Sequence, residues 1–204
     1  MTTTYDAIIV GGGPAGLSAA LYLGRVRRRT LVLDAGRPRN APSPAAHGVF
    51  TRDGAPPEEL LEAARRQLAA YPTLELRWIE AVAAQARSTG FVVRLEDGSE
   101  VCGRRLLLAC GVCDELPAID GLAENWGKSV LHCVYCHGYE FADQQIAIYA
   151  RGQTAIESAA SLLHLRSRQK ITLPYLEAPV ILCPTRGGDR DRDPTSLRAP
   201  REAS

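Results

Sequence analysis

The chain has 204 residues, 46% of them apolar, which is enough for a core in one large domain or in somewhat more than one ordinary domain. Its 24 Lys and Arg nearly balance 23 Asp and Glu, and the net charge of +1 gives no electrostatic case for nucleic acid or an anionic membrane surface. The N-terminus MTTTYDAIIVGGG has neither a basic leader region nor a cleavage site, and no apolar run approaches the ~20 residues of a membrane span. The expectation is a cytoplasmic globular chain whose six cysteines are reduced, redox-active or buried rather than a structural disulfide framework.

The first element is the apolar run Ala7 to Val10, a buried strand feeding the glycine turn Gly11-x-Gly13-Pro14-Ala15-Gly16. In such a turn the first glycine permits the sharp reversal and the second lets a pyrophosphate approach backbone N–H groups. The third lets the following helix pack on the strand. Gly16 and Ala20 share one face of that helix. A second strand, Thr30 to Asp34, ends in a carboxylate 18 residues beyond Gly16 (34 − 16), where an acceptor for ribose hydroxyls belongs. Strand, turn, helix, strand and terminal acid in this order predict a dinucleotide site.

Residues 35–56 are rich in Pro, Gly, Ala and Arg, with neither helical nor strand periodicity. A loop this long inside a compact domain is commonly functional, and here it is expected to wrap a cofactor, with Asn40 and His47 as polar contacts. From Pro57 to Tyr71, Leu61, Ala64 and Leu68 recur at helical spacing, with Glu58 and Glu59 suiting the helix N-terminus. Arg65 and Arg66 read as its solvated face. Short segments follow at Leu74 to Trp78, Ala81 to Ala86, Phe91 to Leu95 and Glu100 to Cys102, punctuated by the hairpin signal Asp97-Gly98. They predict one strand and a small antiparallel meander. Arg105 to Ala109 is an apolar run expected to return as a separate buried strand of the parallel sheet.

Gly111 to Trp126 reads as a connector. Beyond it come a strand at Ser129 to His132, the stretch Cys133 to Glu140, a strand at Ile146 to Ala150, a helix at Thr154 to Arg166 and a strand from Lys170 to Leu173. This is the start of a second βαβ unit. After Pro174 the chain is rich in Pro and alternating charge and, Val180 to Cys183 aside, has little to bury.

Cys133-Val134-Tyr135-Cys136 offers two chemistries. With Cys110 and Cys113 it makes a formal four-cysteine zinc set, although Cys110 ends an apolar strand rather than lying on a knuckle turn. As a redox pair it needs only two thiols able to bridge and one held as thiolate, and His132 and His137 flank it as candidate proton carriers.

The segments GGGPAG with Asp34, LLLACGV, LPAIDGL, CVYCHGYE and IAIYARGQTAIESA, in unbroken order from Tyr5 to Leu173, together resemble the thioredoxin reductase family of flavin-dependent pyridine nucleotide-disulfide oxidoreductases. The resemblance implies an α/β chain: a Rossmann-like FAD-binding domain with its meander over residues 1–112, and an incomplete NAD(P)-binding-like βαβ domain over 113–175. The segment 176–204 would be disordered or non-native. It implies FAD held by Gly11, Gly13, Pro14, Ala15, Gly16, Asp34, Asn40, His47, Val82 and Gly111, with Cys110-Gly111 replacing the family's Thr-Gly. By the same likeness Cys136 would lie against the flavin and Cys133 would exchange with substrate, so that Cys133, Cys136 and His137 form the catalytic set.

Two departures bear on the reaction. The family commonly places Asp after the second cysteine, whereas CxxC followed by His137-Gly138 resembles the branch that includes small-molecule dithiol oxidases, which pass electrons to oxygen without NADPH. The second nucleotide motif, expected as GxGxxA, reads Ala150-Arg151-Gly152-Gln153-Thr154-Ala155, with bulk where phosphate approach needs glycine, so the NADPH site is degenerate. The partner is accordingly a thioredoxin-like protein disulfide or a small-molecule dithiol. The further strands and returning FAD-contacting segment of the family have no counterpart after Leu173, as expected of a shortened or frame-shifted reading frame. An apolar domain face left exposed would favour a homodimer, and a vestigial flavin-binding fragment is the competing expectation.

Overall fold

The structure is a computed structural model describing residues 4–144, 146–151 and 177–184. The chain divides into two compact units, Met1–Ala41 with Pro57–Asp114, and Pro42–Pro56 with Glu115–Ser204. Among the described residues, no helix is long and apolar enough to cross a membrane.

The first unit is organised on a six-stranded sheet. Its strands are β1 (Thr4–Val10), β2 (Thr30–Asp34), β3 (Leu74–Trp78), β4 (Ala81–Arg87), β5 (Gly90–Leu95) and β6 (Glu100–Leu108), in spatial order β3-β2-β1-β6-β5-β4. The first four in that order run parallel and β6-β5-β4 run antiparallel. Helices α1 (Pro14–Arg25) and α2 (Pro57–Leu68) supply the connections after β1 and β2. Alternation along the strands explains the two cores. Ile9 and Val32 face Leu17, Ala20, Leu61 and Leu68 of the helices, while Ile8, Leu31 and Leu33 point the other way and cluster with Val93, Leu95 and Val101. Every residue of β2 is buried, as a strand covered on both faces requires. This is the Rossmann-like α/β arrangement with its meander.

In the first unit one element differs from the sequence expectation. The segments Glu100 to Cys102 and Arg105 to Ala109 are not separate strands but one nine-residue strand, β6. Its first part, Glu100 to Gly103, pairs with β5, and Cys102 to Leu108 runs beside β1, from Thr4 opposite Cys102 to Val10 opposite Leu108. Gly103 permits this continuity, because a Cβ there would stand 2.8 Å from the Ile8 side chain. Nor is the end of β6 buried: Leu107 and Leu108 are 41% and 67% exposed.

The second unit contains α3 (Leu122–Asn125), α4 (Val134–His137), a 3-10 turn at Tyr139–Phe141, and β7 (Ile146–Arg151) paired antiparallel with β8 (Glu177–Pro184). Leu122 and Val130 are buried together with Trp126, Leu116, Ile119 and Tyr149 against them. The expected strand at Ser129 to His132 does not form. Gly127 donates to the Val130 carbonyl and Val130 to that of Asn125, closing a tight turn instead. Strand β8 lies within the span expected to be a non-native tail, and there the β-branched run in APVILC prevails over its flanking prolines and charges. The expected helix Thr154 to Arg166 and strand Lys170 to Leu173 lie outside the described residues.

Candidate functional site

In the first unit the carboxyl ends of the parallel strands surround a cavity of roughly 550 Å³, the position where open α/β sheets bind ligands. Gly11, Gly12, Gly13, Pro14 and Ala15 follow β1, Asp34 and Ala35 end β2, Ile79, Glu80 and Ala81 follow β3, and Ala109 to Cys113 follow β6. Gly11 has φ +111°, and a Cβ there would lie 2.2 Å from the Ala109 carbonyl oxygen. At Gly16 a Cβ would lie 1.9 Å from the Gly11 carbonyl oxygen, so this glycine serves helix-on-turn packing and does not line the cavity. Gly13 is the opposite case. It precedes Pro14 at the start of α1, and nothing lies within 4 Å of the position its Cβ would take. The bare backbone there faces open space at the N-terminus of a twelve-residue helix, a geometry that fits a dinucleotide pyrophosphate.

Asp34 is buried at the cavity wall, where its carboxylate accepts from the Gly36 N–H at 2.9 Å. Arg65 donates to the same carboxylate at 3.3 Å and stacks over Trp78 with its guanidinium carbon 4.5 Å from the ring centroid. The solvated-face reading therefore fails for Arg65, whose partners lie 31 and 13 positions away (65 − 34 and 78 − 65) and give no periodic signal. It holds for Arg66, an exposed i, i+4 partner of Glu62. Arg37 pairs with Glu80 at 2.7 Å, and Arg39 grips both oxygens of Asp114, so the loop after β2 is tied down at two points. Asn40 and Gly111 line the cavity. Val82 does not; it is half exposed on β4, and its neighbour Ala81 lines the wall. The residues after β3 were not singled out from sequence, although the strand-end rule marks their position once four parallel strands are ordered.

The second unit carries the cysteine pair. Cys133 and Cys136 form a disulfide with Cα atoms 5.3 Å apart, and the Cys136 N–H lies 3.1 Å from the Cys133 sulfur at the start of α4. Both sulfurs are thereby withdrawn from the four-cysteine zinc set. Cys110 and Cys113 are free and exposed, and among the described residues no cluster of His, Cys, Asp or Glu is placed to hold a metal. His132 is exposed and stacks on Trp126 at 5.7 Å.

His137 has the more built environment. Its Nε2 lies 3.0 Å from the Ser43 hydroxyl, and its ring meets that of His47 edge-on at 6.0 Å. His47 Nδ1 in turn lies 3.3 Å from Glu140. Burial first, then the neighbouring His47, lower the His137 pKa below the ordinary imidazole value, against an opposing pull from Glu140 and the Ala45 carbonyl. His47 belongs to the unit that carries the disulfide, beside His137 and Glu140. Loop residues 42–56 give no local sign of this, because their partners lie about ninety positions away, as in the 94 separating Ser43 from His137. Ala150 and Arg151 continue β7, while Gly152 lies outside the described residues.

Residues 5–183 match the family model described as "Pyridine nucleotide-disulphide oxidoreductase". A protein named thioredoxin reductase tcpT from Claviceps purpurea is 40% identical over 82% of this chain and 52% of its own length. Another, thioredoxin reductase aclD from Aspergillus oryzae, is 42% identical over 67% of this chain and 44% of its own. The crystal structure of an oxidoreductase from Agrobacterium tumefaciens, 43% identical, superposes with a TM-score of 0.77 over 80% of this chain and 56% of that one. The chain spans about half the length of the relatives it matches. With its glycine turn, parallel sheet and cysteine pair all inside the matched region, the chain belongs to the pyridine nucleotide-disulphide oxidoreductase family, among thioredoxin-reductase-like members.

Proposed function

We propose that the chain is an FAD-dependent thiol-disulfide oxidoreductase in which the Cys133/Cys136 pair exchanges electrons with a substrate thiol or disulfide. The observation that carries this reading is the Cys133–Cys136 disulfide with a half-buried imidazole at the next residue, His137. The dinucleotide cradle of the same chain supports it. Gly11 to Ala15 would face the pyrophosphate, Asp34 the ribose, and Asn40 and Gly111 the remainder of the cofactor. When bound, a flavin supplies two-electron exchange with a dithiol or disulfide. The protein supplies position and proton handling. Cys133 caps α4, which holds the two sulfurs at bridging distance, and His137 takes or returns the proton that thiol exchange requires.

A second reading, dithiol oxidation with oxygen as acceptor and without NADPH, is favoured by the second nucleotide motif. Ala150 and Arg151 lie in a strand, where a phosphate turn would need glycines. Substrates then divide by direction: a thioredoxin-like protein disulfide for NADPH-driven reduction, a small-molecule dithiol for the oxidase. The test is a visible spectrum of the purified protein with and without added FAD, followed by turnover. NADPH consumption with a disulfide acceptor supports the reductase, and peroxide release with a dithiol supports the oxidase. A protein that gains no flavin band sinks both and leaves a vestigial fragment.

A further inference from the structure

The hydroxyl of Ser43 has one proton and two neighbours, the Ala45 carbonyl oxygen at 2.7 Å and His137 Nε2 at 3.0 Å. A carbonyl oxygen only accepts, so the proton goes to Ala45 and the Ser43 oxygen is left as an acceptor toward His137. Nε2 must then carry the imidazole hydrogen. The other ring nitrogen, Nδ1, is buried and has no hydrogen-bond partner among the described residues. The opposite tautomer would deprive the Ala45 carbonyl of the Ser43 proton and would bury an N–H with nothing to receive it, which is unfavourable. Ser43 is itself 8% exposed, so water does not readily replace it in this arrangement.

We propose that Ser43 is a positioning residue that holds His137 as the Nε2–H tautomer, making Nδ1 the atom that accepts the proton in thiol exchange at the Cys133–Cys136 disulfide. The inference rests on the functional reading above and adds the atom through which His137 acts. Cys133 caps α4 and His137 is the last residue of that helix, one position after Cys136. In the exchange the α4 turn opens to an incoming thiol, whose proton goes to Nδ1 and whose sulfur bonds to the Cys133 sulfur. The Cys133–Cys136 bond breaks, and Cys136 leaves with the electron pair as thiolate. The groups facing the imidazole are Ser43, the Ala45 carbonyl, His47 and Glu140; the last two form their own pair and do not compete for Nδ1.

The test is imidazole ¹⁵N NMR of the full chain, with the His137 signals assigned through a His137→Gln variant, and the rate at which dithiothreitol reduces the disulfide. The wild type should show a protonated Nε2 and a lone-pair Nδ1. Ser43→Ala should give a tautomer mixture and reduce the rate about tenfold, below the full effect of a general base because the imidazole itself remains. Ser43→Thr, which keeps the hydroxyl, should restore both. A wild-type signal with hydrogen on Nδ1, or a Ser43→Ala chain with unchanged tautomer and rate, overturns the proposal. Neither readout uses flavin or turnover, so an inactive protein with the stated tautomer would count against the functional reading and leave this inference standing.

Discussion

Two glycines of one turn, three residues apart, are expected to fail in different ways when replaced by alanine. At Gly16 the new Cβ would lie 1.9 Å from the Gly11 carbonyl oxygen and 3.2 Å from Ile9 Cγ2, so α1 must move off the sheet. Overpacking of this kind costs about 1–3 kcal/mol of folding stability. At Gly13 the backbone has φ −77°, which alanine adopts freely, and nothing lies within 4 Å of its Cβ position. Alanine is a poorer helix cap than glycine by roughly 0.5–1 kcal/mol, but it restricts the unfolded chain by a similar ~0.4–1 kcal/mol, so stability should hardly change. What Gly13→Ala should lose is the close approach of phosphate to the backbone N–H groups. A charged hydrogen bond of this type contributes about 1.5–3 kcal/mol, which corresponds to a roughly ten- to hundredfold weaker Kd for FAD. Urea unfolding followed by circular dichroism gives the first quantity, and quenching of flavin fluorescence on titration gives the second. A Gly13→Ala chain that binds FAD like the wild type would refute the assignment of that side of the turn to phosphate. A Gly16→Ala chain of unchanged stability would refute the packing argument.

Arg65→Ala should destabilise the first unit by about 1 kcal/mol through lost stacking on Trp78 and the lost ion pair with buried Asp34; urea unfolding checks it, and Arg65→Lys should recover little because it cannot stack as a plane. Tyr5 donates to Glu75 at 2.6 Å, and this hydrogen bond, helped by Arg77, holds the Glu75 pKa below its ordinary 4.5. With the folded pKa the lower one, the contribution is complete above about pH 4.5 and is lost as pH falls through the folded value. Tyr5→Phe should therefore lower stability at neutral pH and shrink the difference from wild type in acid, read from urea curves at several pH values. For His137 the lowered folded pKa means that stability is present above the ordinary imidazole range and declines as pH falls below it. His137→Gln should remove that part of the slope. Finally, reducing the native protein should add two to its count of titratable thiols, and Cys133→Ser should abolish the increase.

The parts of the fold that read directly from sequence are those whose causes are local. Gly11, Gly13 and Gly16 stand close enough to define the turn without their surroundings, and Asp34 follows from its place at a strand end. The misreadings share a different cause. Gly103-Arg104-Arg105 looks like a break between strands because nothing nearby shows that Ile8 will lie against Gly103 and demand its missing side chain. Arg65 sits at a helical position that alternation assigns to solvent, yet Asp34 and Trp78 arrive from two other strands. The neighbours of His47, Glu140 and His137, likewise come from far along the chain, where its loop gives no sign of them.

The continuity of β6 also bears on the order in which the molecule can be assembled. The dinucleotide turn is encoded near the N-terminus, but its first glycine is propped by the carbonyl of Ala109, and β1 has β6 along its flank from Cys102 to Leu108. A ribosome that has released only the first hundred residues has made the fingerprint and both helices of the cradle without the strand that closes it. Completion of the turn must wait for that distant closure, a slow, non-local step, and during the wait β1 is an open strand edge in a chain still being synthesised.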